Sequence, residues 1–418
     1  MISRRRLMQL GLSTGAALAL PAAAEDSPIG KLQSLKSKAV PITPAERQSR
    51  LEKARYLMQD HQLDALLVMA GTSLRYFTGI DWFESERFMV MALPAKSAPF
   101  YVSPAFEEGR CREQITNGLG DNSPDVRVWQ EDQDPYPLVA QGLKDRGLAT
   151  GTIGLEETFR YVFSAGVAKA AVQAKLTSAT PVTAGCRMIK SSSELALMRL
   201  ASQVTLSAYE AAYHSIKDGM TKPEFEDLIA QAHTKLGFPG GGDALVGEFA
   251  AFPHGSVTPQ VIREGSLILV DGGCLVEGYN SDITRTFVFG KSTAKMNQVF
   301  EIVHNAQSTA LKTARPGVEC QSVDAAARKV VTDAGYGPDY KYFTHRVGHG
   351  MGLDGHEWPY LVRGNKTKLE PNMTFSDEPG IYIRGEFGVR LEDDMHITEN
   401  GAELFTPQSP SLETPFAT

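Results

Sequence analysis

The chain has 418 residues, enough for two domains of ordinary size with a core each. Its 42% hydrophobic and 22% charged residues belong to a globular protein and exclude a disordered or fibrous one. A net charge of −7, with no long basic run beyond the extreme N-terminus, gives no support to nucleic-acid or membrane-surface binding.

The N-terminus reads as a targeting segment. Arg4, Arg5 and Arg6 precede a weakly apolar stretch from Leu7 to Leu20, and Ala22-Ala23-Ala24 has the small-residue form of a signal-peptidase site. The stretch is too short, and too rich in Gly, Ser and Thr, to span a bilayer comfortably. Ser3-Arg4-Arg5-Arg6-Leu7-Met8 resembles the twin-arginine export motif. Residues 1–24 are therefore expected to be a cleaved signal, with the mature protein in the periplasm or outside the cell. Cys111, Cys186, Cys274 and Cys320 are spaced too irregularly for a disulfide framework or a zinc ribbon, and read as mostly buried free thiols.

Residues 25–42 have the look of a polar linker. A helix is expected from Thr43-Pro44-Ala45-Glu46, where Thr43 caps the backbone and Glu46 reaches back to it. Leu51, Ala54, Leu57 and Met58 recur at helical spacing, and Ala65–Met69 and Phe88–Leu93 then read as buried strands. Alternating segments to about residue 185 predict an α/β domain over 43–187. Ser191–Glu194 and Thr221–Glu224 are capping boxes, each opening a helix. Strand patterns dominate from about 246 to 290, helices from 295 to 335 and strands again to about 405, so 188–418 reads as an α+β domain.

The chemistry-bearing residues lie in this second domain. The apolar run Leu267–Val270 ends at Asp271, and a turn at Glu277-Gly278 brings the chain back through Asp282 and Thr284. With two loop residues, Val276 pairs with Tyr279 and Asp271 with Thr284, which puts Asp282 on the face of Asp271 at a diagonal roughly 7 Å away. A second hairpin bending at Gly385 sets Glu378 across from Glu392. Between the hairpins, glycines flank His349 and allow backbone to crowd close to an ion. Four carboxylates facing one another repel unless cations sit between them. Two Asp, two Glu and one His suit two divalent ions, their four positive charges balancing four negative. Oxygen-rich ligation with one imidazole favours Mn²⁺, with Co²⁺, Zn²⁺ or Fe²⁺ as alternatives.

Val270-Asp271-Gly272-Gly273, Ser281–Thr286, Gly348–Gly352, His356-Glu357, Glu378-Pro379-Gly380 and Val389–Glu392 resemble, in order, the motifs of the prolidase, aminopeptidase P and creatinase superfamily. The similarity extends upstream to Arg75–Gly79 and Met188-Ile189-Lys190, and so covers nearly all of the mature chain. The resemblance implies a creatinase-like α/β domain followed by a pita-bread catalytic domain. It also implies metal ligation by Asp271, Asp282, His349, Glu378 and Glu392, with Asp282 and Glu392 bridging. His254 matches a histidine lining the substrate pocket, His356 one that contacts the scissile carbonyl, and Arg390 an arginine beside the bridging glutamate. The implied reaction is hydrolysis of the bond before proline in a dipeptide or short peptide, with Glu378 moving the nucleophile's proton to the leaving nitrogen. A dipeptidase also needs a grip on the substrate carboxylate, for which His254, Arg390 and Arg363 are candidates. The family further implies a homodimer. A metal-dependent lyase on dimethylsulfoniopropionate, or a non-peptidase hydrolase, is the alternative on the same scaffold.

Overall fold

A computed structural model describes residues 26–416, so the expected signal at 1–24 lies outside the described residues. Ten α-helices and eighteen strands are described there. None of the described helices is long and apolar enough to cross a membrane.

The first domain is built on six strands: β1 (Ala65–Met69), β2 (Val90–Pro94), β3 (Phe100–Pro104), β4 (Asp125–Trp129), β5 (Thr152–Leu155) and β6 (Lys175–Ser178). Their order is β4-β3-β2-β1-β5-β6. β1 runs parallel to β5 and antiparallel to β2. Its five residues are all buried because both faces of the sheet are covered. Leu66, Val68, Met91 and Tyr101 face α1 (Pro44–Asp60) through Leu51, Ala54 and Met58. Leu67, Val90, Ala92 and Phe100 pack on the other face with Val139 of α4 (Tyr136–Asp145) and Val167 of α5 (Tyr161–Ala170). The remaining helices here are α2 (Thr72–Thr78), α3 (Glu108–Leu119) and α6 (Thr180–Arg187).

Both boxes expected in the second domain form. They open α7 (Ser192–Tyr213) and α8 (Lys222–Leu236), each with reciprocal side-chain and backbone bonds. At α1 only half of the device forms. Thr43 Oγ1 accepts from Glu46 N, but the Glu46 carboxylate accepts instead from Ser191 Oγ at 2.6 Å and Arg50 at 3.1 Å. A capping residue has been drawn into the contact between the domains.

Residues 26–42 depart from the linker expected at 25–42. Ile29 and Ile42 are buried in a cluster with Leu197, Leu200 and Leu236, while Leu32, Leu35 and Ala39 pack against it. Leu35 N donates to Leu236 O at 2.8 Å. The segment is a strap across α7 and α8, and these five apolar residues at three- and four-residue spacing are what hold it there.

The second domain continues through β7 (Asp243–Val246), β8 (Leu267–Gly272), β9 (Leu275–Val276), β10 (Tyr279–Asn280) and β11 (Ile283–Val288), with β8 central in the order β11-β8-β7. The expected run of strands from 246 is interrupted between β7 and β8, where Gly247, Pro253, Gly255 and Pro259 break the pattern. Helices α9 (Ala294–Thr313) and α10 (Cys320–Asp333) follow, then β12 (Gly348–Gly350), β13 (Glu357–Leu361), β14 (Thr374–Asp377), β15 (Gly380–Ile383), β16 (Phe387–Arg390), β17 (Asp393–Ile397) and β18 (Ala402–Leu404). A five-stranded sheet has the order β13-β12-β14-β17-β18, and β15 pairs with β16.

All four cysteines are free and buried. Burial raises the thiols of Cys111 and Cys274 to about 11 and those of Cys186 and Cys320 to about 12. A thiol that stays protonated and out of reach reacts slowly. Titration with a chromogenic disulfide reagent, without reductant, should find almost no fast-reacting thiol in the native protein and all four after denaturation.

Candidate metal centre

Two hairpins aim carboxylates at one point. In the first, Glu277 and Gly278 take φ of 51° and 89°, the left-handed pair that a two-residue turn requires. Val276 faces Tyr279 and Asp271 faces Thr284, the register expected from the sequence. In the second, Ile383 faces Phe387 around Gly385, and the same register continues beyond a break as Asp377 facing Asp393. Glu378 and Glu392 stand at that break, between two ladders that hold both flanks. His349 arrives on β12. An added Cβ on Gly348 would lie 2.0 Å from Ser376 O, and one on Gly350 2.5 Å from Glu357 O. Only glycine lets the neighbouring strands close on His349 from both sides.

The five side chains converge. His349 Nε2 lies 3.3 Å from Glu378 Oε1 and 3.7 Å from Asp282 Oδ2. Thr284 Oγ1 lies 2.5 Å from Glu392 Oε2 and 2.9 Å from Asp271 Oδ1. Three overlapping groups offer ligand atoms within 4.8 Å of one another: Asp282, His349 and His356; His349, Glu378 and Glu392; Asp271, Asp282 and Glu392.

The electrostatics fit cations. Burial, reinforced by neighbouring carboxylates, pushes Asp282 and Glu392 well above the usual carboxylate range. Glu378 rises to about 7, chiefly through burial, against the pull of Arg390. His349 is depressed to about 3, first by burial and then by His356, so its imidazole is neutral and able to ligate. Its Nδ1 faces Gly350 O at 3.1 Å, which leaves Nε2 for the acids. Carboxylates that resist ionising together and a neutral imidazole among them make a donor set for divalent ions.

Not every expected residue has the expected place. Arg390 donates to Asp271 at 2.7 Å, Thr284 at 3.1 Å, Tyr382 at 2.9 Å and Pro253 O at 3.3 Å, so it neutralises and braces Asp271, and it lines the central cavity as well. Arg363 is outside the centre altogether. It pairs with Asp339 at 2.8 Å and lines a separate surface cleft with residues of α10. His254 and His356 do line the central cavity, of about 150 Å³, and His356 stacks on His349 with ring centroids 3.6 Å apart.

Three residues there were missed from the sequence. His345 Nε2 and Tyr382 Oη lie 2.7 Å apart, which continues the Arg390 network. Arg346 lies over the Tyr360 ring at 4.1 Å and 3.2 Å from His356 Nδ1. No described carboxylate forms a salt bridge with Arg346. His345 and Arg346 stand four and three residues before His349, and that closeness was the available signal.

Comparison with known proteins agrees with this architecture. The model of metallopeptidase family M24 matches residues 196–399, and that of the creatinase/prolidase N-terminal domain residues 50–189. The chain is 32% identical over 375 residues to an Xaa-Pro dipeptidase of Lactobacillus delbrueckii subsp. lactis, covering 87% of this chain and 98% of that protein. The structure of dipeptidase PepE from Mycobacterium ulcerans superposes with a TM-score of 0.83 at 32% identity, covering 90% of this chain and all of that one. A dipeptidase structure from Pyrococcus horikoshii gives 0.78 at 32% identity, with 87% and 99% covered.

The raised carboxylates give the metal-free protein a distinct pH dependence. Glu378 near 7 and Asp394, raised by burial to about 8, hold protons that the unfolded chain releases near 4. Their contribution to stability is complete below about pH 4, falls as pH rises from there, and is gone once pH has passed 7 and 8. Chelated protein should therefore lose melting temperature from pH 5 to pH 8 by more than metal-loaded protein does. Parallel curves for the two forms would contradict it.

Proposed function

The chain belongs to metallopeptidase family M24, and from that premise we propose that it is an Xaa-Pro dipeptidase. The observation that carries the reading is the meeting of Asp271, Asp282, His349, Glu378 and Glu392 beside an unpaired arginine in a small cavity. Its 150 Å³ is below the roughly 300 Å³ at which pockets for drug-sized ligands begin, and that suits a dipeptide. The dipeptidase names of the relatives support the same reading, and the lyase and non-peptidase alternatives draw no support from them.

Asp271, Asp282, His349, Glu378 and Glu392 would hold two divalent ions, which would supply the Lewis acidity to polarise the carbonyl and acidify the attacking water. Oxygen-rich ligation favours Mn²⁺ over Co²⁺, Zn²⁺ or Fe²⁺. Glu378 takes the nucleophile's proton and delivers it to the leaving imide nitrogen. His356 and His254 reach over the cavity to the developing oxyanion. Arg346 replaces Arg390 and Arg363 as the grip on the substrate's C-terminal carboxylate. Its fork of donors suits a carboxylate, and stacking on Tyr360 holds it ready. A homodimer, and export under a twin-arginine signal, complete the proposal.

Ala-Pro hydrolysis should vanish on chelation and return with Mn²⁺. Glu378→Ala should lose at least about 100-fold in kcat. Arg346→Ala should lose about 10- to 100-fold in kcat/KM on Ala-Pro. Wild-type turnover by Glu378→Ala would sink the mechanism, and faster cleavage of Ala-Pro-Ala than of Ala-Pro would sink the dipeptide reading.

A further inference from the structure

Within their own domain His356 rests on the His349 ring and Arg346 on the Tyr360 ring, and the strand pairing beside them is broken. The ladder between β12 and β13 shifts register after His349: His349 faces Tyr360, but Gly350 faces Glu357. Trp358 and Pro359 fall in the gap, and Pro359 has no N–H to donate. Main-chain bonds reach the start of the turn, where Gly352 N donates to Asp354 O at 3.0 Å, but the strand ladder does not continue through Gly355 and His356.

Asn280 of the same domain ties down the start of the turn, donating to Gly352 O and Leu353 O at 3.0 Å, but the side chains of Asp354, Glu357 and Trp358 are held from the other domain and from the joint between the two. Thr72 Oγ1, at the start of α2, donates to Asp354 Oδ1 at 2.6 Å. Arg187, the last residue of α6, donates to Asp354 Oδ2 at 2.5 Å and also bonds Glu357. Lys190 Nζ donates to Glu357 Oε1 at 2.6 Å and to Arg187 O at 2.8 Å. Arg187, Lys190 and Glu357 are largely buried, and the charges balance at two positive and two negative. A second line starts at Glu157, which accepts from Trp358 Nε1 at 2.8 Å. Trp358 packs on Tyr360 with centroids 4.8 Å apart, and Tyr360 carries Arg346, which reaches His356.

We infer that the N-terminal domain is a working part of the catalytic centre: through Asp354, Glu357 and Trp358 it sets the orientation of His356 and Arg346. Thr72, Glu157, Arg187, Lys190 and Glu357 are positioning residues, since none lines the cavity. This rests on the roles given above to His356 and Arg346. Misplacing a reacting group by about 1 Å can cost about 100-fold, so loosening the turn should be visible in rate.

The test is a pair of double-mutant cycles on full-length, metal-loaded protein. Thr72→Val should lower kcat for Ala-Pro about 10-fold, with KM and two bound metals per chain unchanged, and should add nothing in a His356→Ala background. Glu157→Ala should lower kcat/KM about 10-fold and add nothing to Arg346→Ala. Glu157→Gln, which keeps an acceptor for Trp358, should recover most of the loss. Neither Thr72 nor Glu157 is in the core, so these variants stay informative if Glu357→Gln fails to fold. Losses that multiply with those of His356→Ala and Arg346→Ala, or wild-type rates in both single variants, would overturn the inference. Wild-type kinetics in His356→Ala and Arg346→Ala themselves would overturn it by removing the roles it serves.

Discussion

Carboxylates buried together repel, and the second domain is arranged around that repulsion. Asp271, Asp282, Glu378 and Glu392 face one another in a space lined by strands, and a further layer of acids lies close behind. Asp394 accepts from the backbone of Asp282 and from Ser202, while Asp393 is held by the fully buried Arg285 at 2.7 Å. Arg285 also donates to the carbonyls of Thr284, Glu392 and Pro407. Arg285 and Arg390 offset these acids from within, and Arg346 at the cavity wall adds to them. Such an arrangement contributes little to stability by itself, because desolvating each charge costs several kcal/mol. It makes sense as a receptacle for cations, and the paired hairpins, the glycines around His349 and the second layer all serve to keep the receptacle from relaxing.

How much of this was legible depends on how local the information was. The hairpin registers followed from turn residues and period-two alternation, which are properties of a dozen neighbouring residues, so Asp271 with Thr284 and Glu378 opposite Glu392 could be placed in advance. The capping boxes at Ser191 and Thr221 were equally local. Arg363 was misjudged because nearness to His356 in sequence says nothing of direction. β13 leads away from the cavity, and its five residues cover roughly 16 Å. Arg346 was overlooked for the opposite reason: its significance lies in having no acidic partner among the described residues, and a sequence does not show which charges remain unpaired. The strap carried a pattern at Ile29, Leu32, Leu35, Ala39 and Ile42 that polar neighbours disguised.

The same contrast appears where the domains meet. Arg50 of α1 bonds Tyr76 O and Tyr279 Oη, and Tyr279 Oη donates to Glu194 at 2.8 Å. Tyr279 sits in the hairpin that carries Asp282, so one edge of the metal centre leans on the first domain, as the turn before Glu357 does at another. Glu46 leaves its own helix cap to join Ser191 in that contact. Each of these residues has an ordinary local role that the tertiary structure overrides, and they are the places where reading the chain segment by segment loses accuracy.

The strap has a consequence for how the chain is made. Residue 35 pairs with residue 236, so the strap cannot find its partner until more than half of the protein has been synthesised. Ile29 and Ile42 stay exposed to solvent throughout that interval. Closing the strap thus has to wait for a distant partner, and a translation product interrupted before residue 236 leaves behind a sticky N-terminal segment with nothing to cover it.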